Sequence, residues 1–119
     1  MSERDIGFYV EDMLEFAQHA LEYARGLTEA TLTAERMRYD AVLRNIELIG
    51  EAATRVPEPV RAMAPDVPWQ KIVGARNRIA HGYLGIAEET VWNILDEQLP
   101  ALQQDALRGL LSRLPRPAP

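Results

Sequence analysis

The stretch "YDAVLRNIELIGEAATRV", residues 39–56, decides the fold. Its apolar and small residues recur at intervals of three and four positions, which is the spacing of one face of an α-helix. The residues on that face are Tyr39, Val42, Leu43, Ile46, Ile49, Gly50, Ala53 and Val56. The pattern ends before Pro57, because proline interrupts a helix. A helix with such a face needs partners that bury it, and the flanking segments should supply them.

The segment before it has the same periodicity and predicts a first helix over about 4–25. Its apolar face consists of Ile6, Val10, Met13, Ala17, Ala20 and Ala24, widened by Tyr9 and Phe16. Gly26 stands where helices commonly end on a glycine. The polar connector "LTEATLT", residues 27–33, follows, and we expect Thr33 to be the N-cap of the second helix.

The segment after it begins with "PEPVRAMAPDVP", residues 57–68, whose prolines allow only a short helix around 58–64. A third long helix then begins at Pro68 and Trp69, and the glycines at 82 and 85 end it. A last helical stretch follows, which we expect to bend or restart at Pro100.

No segment alternates with the period of a β-strand over a useful length. The sequence therefore predicts an all-α fold, an antiparallel bundle of four main helices plus a short helix. We expect one domain over 1–113 and a flexible tail over 114–119.

The composition narrows the function classes. The 119 residues include no cysteine, which excludes disulfides, thiolate catalysis and zinc sites built on sulfur. The segment "MSERDIGFYVEDMLEF" has neither the apolar core of a signal peptide nor the length of a membrane helix, so we expect a cytoplasmic protein with no membrane partner. The net charge of -5 argues against a protein that coats nucleic acid, and we expect no DNA partner.

Positive charge is concentrated in the third helix. From 69 to 85 the charged residues are Lys71, Arg76 and Arg78, with no acid to offset them, which favours a local phosphate site over a long basic groove. Arg76 interrupts an apolar stripe of the helix, which consists of Trp69, Ile72, Ile79 and Tyr83. An arginine there needs a carboxylate or a phosphate as its partner. The second helix offers Glu47 and Glu51, and spacing does not decide between them. Such a contact could orient Arg76 for a function, or it could be a purely structural ion pair.

His81 faces another side of the third helix. Five residues at about 100° each rotate it by about 140° from Arg76. Gly74, Asn77, Arg78 and His81 share a side and form a small cationic strip. Arg76 and His81 could converge if the helix end unwinds or if a second subunit contributes.

An arginine and a histidine suit the cleavage of a phosphodiester. Metal-free cleavage of RNA needs a base for the 2′-hydroxyl proton, an acid for the leaving oxygen and a cation for the developing charge. Histidine can take either proton role near neutral pH. Since the cluster holds one histidine, a two-fold dimer would complete the set.

Family motifs add to this interpretation. The stretch "RNRIAHGY", residues 76–83, matches the R-x4-H-x-Y signature of the HEPN superfamily. The blocks "DAVLRNIELIGEAA" at 40–53, "PDVPWQKIVGARNRIAHGYLG" at 65–85 and "VWNILDEQLPAL" at 91–102 resemble the HepT-like branch. The resemblance covers about residues 5–105.

This resemblance implies a specific function. HepT-like proteins are helical toxins of toxin-antitoxin modules that act as metal-independent endoribonucleases, and their two motifs meet at a homodimer interface. By position, Arg76 and His81 would be the catalytic pair and Asn77 a supporting residue. Tyr83 matches the tyrosine that the partner, a minimal nucleotidyltransferase antitoxin, modifies with AMP. From the helix positions given above, the further supporting candidates are Arg78, Glu47 and Glu51.

Other interpretations stay open. The chain could be a non-catalytic subunit that binds a nucleotide or phosphate and docks a nucleotidyltransferase, or a structural dimerisation bundle. Tyr83 could simply pack, and His19, flanked by Glu15 and Glu22, is expected to be a solvated or lightly paired side chain. A zinc site is not expected, because His19 and His81 are far apart and no H-E-x-x-H motif occurs. The glycines form no phosphate-binding loop, so we expect no cofactor.

Overall fold

A computed structural model describes residues 3–82 and 86–114, and every regular element in those ranges is a helix. The α-helices are α1 (Glu3–Tyr23), α2 (Arg36–Thr54), α3 (Glu58–Arg61), α4 (Trp69–Ala80), α5 (Glu88–Asn93), α6 (Leu99–Ala101) and α7 (Leu107–Ser112). Two π-helical segments, Ile94–Gln98 and Leu102–Ala106, join the last three into one run over 88–112. The predicted all-α bundle, with four main helices and a short one, is confirmed.

Helices α1 and α2 form an antiparallel pair through the faces that the periodicity predicted. Every position of the apolar face on α2 is buried, as are Ile6, Val10, Met13, Ala17 and Ala20 on α1. Arg38, near the start of α2, donates from Nε to the backbone carbonyl of Tyr23 at the end of α1, at 2.7 Å. This pair is the frame on which α4 and the C-terminal run pack.

The connector between α1 and α2 differs from its prediction at one end. Gly26 has φ of +80°, the left-handed conformation that a glycine adopts after a helix. Thr33 is not the N-cap: α2 begins at Arg36, and its N-cap residue Glu35 makes no capping hydrogen bond. Leu32 is fully buried, so the end of this polar connector is anchored in the core and the helix starts later.

The linker between α2 and α4 is held by side chains that bond to nearby carbonyls. Arg61 donates to the carbonyls of Val56 and Ala53, both at 2.9 Å, which ties the linker to the end of α2. The guanidinium of Arg61 lies 5.7 Å from the ring centre of Trp69. Trp69 donates from Nε1 to the carbonyl of Ala64 at 3.1 Å. These contacts fix the point at which α4 begins.

The C-terminal run continues through Pro100 without restarting. Proline has no N–H to donate, and the turns on both sides of it widen to π-helix. The N–H of Leu99 bonds to the carbonyl of Ile94, and that of Leu107 to the carbonyl of Leu102. Leu114 is also buried in the core, whereas 115–119 lie outside the described residues. Within the described ranges, no helix is both long enough and apolar enough to cross a membrane.

Candidate active site

A glycine sets the distance between α2 and α4 at the candidate site. A Cβ atom built on Gly50 would lie 2.2 Å from Cβ of Arg76 and 3.1 Å from the backbone oxygen of Ile72. Ordinary carbon atoms in contact stay about 3.5–4.0 Å apart, so no larger residue fits without moving α4. The close approach places Arg76 beside Glu51, the residue that follows Gly50. The sequence showed this glycine as part of an apolar face and gave no sign of its role at the site.

Arg76 is anchored by two neighbours. Its Nε donates to Oε1 of Glu51 at 2.9 Å, and Nη2 donates to the same oxygen. Its Nη1 donates to Oδ1 of Asn77 at 2.9 Å. A guanidinium has five N–H donors, so one donor on each terminal nitrogen remains. The side chain is 30% exposed, which leaves those two donors a route to an outside anion.

Glu47 does not take part in this contact. Its carboxylate lies 3.2 Å from Nη1 of Arg44, one turn away on the same helix. Of the two acids that the spacing of α2 offered, the contact with Arg76 therefore falls to Glu51.

His81 caps the C-terminal end of α4. Its backbone has φ of -87° and ψ of 3°, so the chain leaves helical geometry there, and Gly82 follows with φ of +120°. The imidazole Nδ1 lies 2.6 Å from the backbone oxygen of Asn77. A carbonyl oxygen only accepts, so Nδ1 carries a proton and donates it. The other ring nitrogen, Nε2, has no hydrogen-bond partner among the described residues, and the residue is exposed.

Asn77 connects the two candidate catalytic residues within one chain. Its side-chain oxygen accepts from Arg76 and its backbone oxygen accepts from His81. The backbone N–H of His81 still bonds to the carbonyl of Asn77 at 3.2 Å, so the helix does not unwind before His81, and the convergence of Arg76 and His81 within one chain stays a prediction. The alternative condition, a second subunit, involves residues beyond this chain.

The remaining candidates lie apart from these contacts or outside the described residues. Arg78 is exposed and lines a cleft between α4 and α5. Tyr83 lies outside the described residues, so its modification stays a prediction. His19 has Nε2 at 3.9 Å from Oε1 of Glu15, as expected for a lightly paired surface histidine. Among the side chains that the structure describes, no three acidic or histidine residues are grouped as a metal site would require.

The side of Glu51 that faces α1 is acidic. A shallow cavity of about 280 Å³ there is lined by Tyr9, Asp12, Phe16, Leu48, Glu51, Ala52 and Arg55. Burial, together with the charges of Glu15 and then Glu11, raises the pKa of Asp12 above its usual value. Arg76 therefore lies next to an acidic wall on its α2 side, in which the two acids Asp12 and Glu51 outnumber the one cation, Arg55.

The family model described as "Ribonuclease HepT-like" matches residues 13–108. A protein of Methanocaldococcus jannaschii named "Putative RNase MJ1380" is 33% identical over 105 residues, which cover 88% of this chain and 96% of the relative. The "Probable ribonuclease HepT" of Thermococcus cleftensis is 27% identical over 95 residues, covering 80% of this chain and 86% of the relative. No solved structure matches.

Proposed function

The chain belongs to the HepT-like ribonuclease family, and from that premise we propose that it is a metal-independent endoribonuclease whose active site forms where two copies meet. The observation that carries the proposal is the state of His81. Its Nδ1–H is committed to the carbonyl of Asn77, so Nε2 is the atom that accepts or returns a proton. A general acid or base of this kind contributes roughly 10²- to 10⁴-fold to a rate.

Arg76 holds the scissile phosphate in this proposal. Glu51 and Asn77 occupy three of its N–H donors, and the two that remain, one on each terminal nitrogen, face the two non-bridging oxygens of a phosphodiester. A guanidinium fixed before the substrate arrives stabilises the extra negative charge of the pentacoordinate transition state without having to reorient.

The reaction is an attack of the RNA chain on itself. The 2′-oxygen bonds to phosphorus as its proton passes to Nε2 of one histidine, and the bond from phosphorus to the 5′-oxygen breaks. The departing oxygen takes a proton from a second, protonated histidine. The products are a 2′,3′-cyclic phosphate and a 5′-hydroxyl. One chain brings one histidine to the site, so the second is His81 of another copy.

The biological role follows from the family. We place this ribonuclease in the cytoplasm as the toxin of a toxin-antitoxin module, with a minimal nucleotidyltransferase as its antitoxin partner. Adding AMP to Tyr83, two residues after His81, would put a bulky anion beside the proton-transfer group.

Intact mass of the protein expressed with that partner should show the AMP increment, and Tyr83→Phe should remove it. Without an increment in the wild-type protein, AMP addition is not the neutralising step.

The activity is tested with purified protein and RNA in excess chelator. We expect cleavage in chelator, and a loss of roughly 100-fold or more in His81→Ala and in Arg76→Ala. His19→Ala is the matched control, because it removes the other histidine from an exposed position on α1. RNA with 2′-deoxyribose at the cleavage position should resist, since it lacks the nucleophile. Cleavage that needs a metal, or that survives both substitutions, contradicts the mechanism.

The composite site has its own test. Wild-type protein is unfolded and refolded together with increasing amounts of His81→Ala at constant total concentration. If each site needs a histidine from both copies, the activity falls as the square of the wild-type fraction. A linear fall means that each chain works alone and refutes the shared site.

A further inference from the structure

A cleft of about 430 Å³ opens between α4 and α5, on the side of α4 opposite Arg76. It is lined by Gln70, Lys71, Gly74, Ala75 and Arg78 from α4 and by Thr90, Asn93, Ile94 and Gln98 from the C-terminal run. His81 follows Arg78 by three residues, which is about 4.5 Å along the helix axis and about 60° around it. The cleft therefore leads along α4 toward the histidine.

The charges in this cleft have one sign. Of the side chains that the structure describes, Lys71 and Arg78 are the charged ones that line it, although the C-terminal run carries the acids Glu88, Glu89, Asp96, Glu97 and Asp105. Among the described residues, neither cation has a salt bridge or a side-chain hydrogen bond; the only ion pair on α4 is that of Arg76 with Glu51. Two cations that face neutral amides attract an anion.

The floor of the cleft contains a glycine that the packing of the protein does not require. A Cβ built on Gly74 would meet no atom within 4 Å, so an alanine would fit. Glycine within a helix lowers stability relative to alanine. Gly50 is explained by the approach of Arg76, whereas Gly74 leaves open space between two cations. A bare backbone there lets a ligand lie close to the helix.

We propose that this cleft binds the sugar-phosphate backbone of the RNA strand on its way to His81. Lys71 and Arg78 are seven residues apart, which is about 10.5 Å along the axis and about 20° around it, so they can contact separate phosphates of one strand. The side chains of Thr90, Asn93 and Gln98 on the opposite wall offer hydrogen bonds to ribose hydroxyls and base edges. The assignment rests on the proposed ribonuclease function, and it names the surface that holds the substrate.

Binding is measured by fluorescence anisotropy of a labelled single-stranded RNA, with every protein in the His81→Ala background so that the probe stays intact. Adding Lys71→Gln and Arg78→Gln should weaken binding roughly 10- to 30-fold at about 0.1 M salt, and should reduce the slope of log affinity against log salt by about 1.4. Arg25→Gln with Arg36→Gln is the matched control, because it removes the same charge from exposed positions outside the cleft. Equal affinity of the cleft and control variants overturns the assignment.

Gly74→Leu tests the shape of the cleft without changing its charge. Because the space above Gly74 is open and leucine is a better helix former than glycine, the Tm should not fall, while RNA binding weakens roughly tenfold, or about 1.4 kcal/mol. Unchanged affinity for RNA in a variant whose Tm has not fallen would show that no ligand lies against this glycine.

The outcomes separate this proposal from the proposed activity. Cleavage by the wild-type protein, combined with undiminished binding in the cleft variant, refutes the cleft and leaves the ribonuclease. Weaker binding in the cleft variant, without cleavage by the wild-type protein, keeps the cleft and refutes the ribonuclease. If the His81→Ala protein binds no RNA at low salt, the cleft assignment is wrong.

Discussion

Two arginines lie two residues apart on α4 in opposite surroundings. Arg76 faces α2, where Glu51 and Asn77 accept three of its N–H donors. Arg78 faces the cleft, and within the described residues it has no ion pair. The anchored guanidinium has a fixed direction, which suits the stabilisation of charge in a transition state. The other arginine has no partner among the described residues, which suits binding to a phosphate whose position varies along a flexible strand.

Two glycines also differ in their surroundings. Gly50 lies under Arg76 and leaves no room for a Cβ atom, whereas Gly74 lies in the cleft and has open space above it. One glycine belongs to the packing of the protein against itself. Gly74 is explained by the RNA strand proposed to lie in the cleft.

Replacing each arginine with lysine, which preserves the charge, should affect the two positions differently. Arg76→Lys keeps the charge but loses the planar fork, since one ammonium cannot satisfy Glu51 and Asn77 and still hold a phosphate by two donors. Single-turnover cleavage should slow roughly 100-fold. Arg78→Lys should weaken RNA binding less than about threefold, because a point charge still attracts a phosphate. If cleavage by the first variant and RNA binding by the second fall by the same factor, Arg76 and Arg78 do not have the different roles assigned to them.

Alanine at the two glycines should have opposite effects on stability. Gly50→Ala places a Cβ 2.2 Å from Arg76 and forces α4 away from α2, which should lower the free energy of unfolding by about 1–3 kcal/mol. Gly74→Ala should raise it by about 0.5–1 kcal/mol, because the helix gains propensity and nothing clashes. Urea unfolding measures both. A destabilised Gly74→Ala protein would show that packing within the chain, and not a ligand, requires that glycine.

The helices were predictable because burial follows their period. Each apolar residue of 39–56 that the spacing placed on one face is buried, and the same holds for most of the α1 face. The start of α2 was missed because Leu32 is held in the core, which is a tertiary contact that capping preferences do not contain. The π-helical turns around Pro100 were not predicted either, since proline signals an interruption without specifying its geometry.

The residues of the candidate site could be proposed from the sequence, whereas their contacts could not. Glu47 and Glu51 are four residues apart on one line of α2, so the sequence alone could not assign the partner of Arg76. Which acid Arg76 contacts depends on the position of α4 along α2. That position is fixed by the close approach of Arg76 to Gly50. The bond from His81 to Asn77 likewise depends on the helix ending at Ala80.

The two acids provide a further test of how Arg76 is anchored. Glu51→Gln keeps an oxygen that can accept from Arg76 but removes the charge, so the turnover rate should fall roughly tenfold with little change in KM for RNA. Glu47→Gln is the matched control, because its partner is Arg44, and its turnover rate should remain that of the wild-type protein. If the two variants behave alike, Glu51 has no special part in positioning Arg76.

The smallest expected effect concerns the acidic wall behind Glu51, which has no counterpart in the cleft that Arg78 lines. Burial, reinforced by Glu15 and Glu11, raises the pKa of Asp12 in the folded state. A carboxyl whose pKa is higher when folded than when unfolded costs no stability below its unfolded pKa, and it destabilises the fold as the pH rises through the folded value. Asp12→Asn should therefore raise the free energy of unfolding at pH 7, by less than about 0.5 kcal/mol.

The difference between this variant and the wild-type protein should shrink in acid, where Asp12 is protonated in both states. Thermal unfolding at pH 7 and near pH 3 measures it, with Glu29→Gln, an exposed acid in the connector after α1, as the control that changes charge without burial. A stabilisation by Asp12→Asn that is as large in acid as at pH 7 would have another cause. In that case the ionised carboxylate of Asp12 would not destabilise the fold. The contrast between the acidic wall and the cationic cleft would then rest on Arg76 and Arg78 alone.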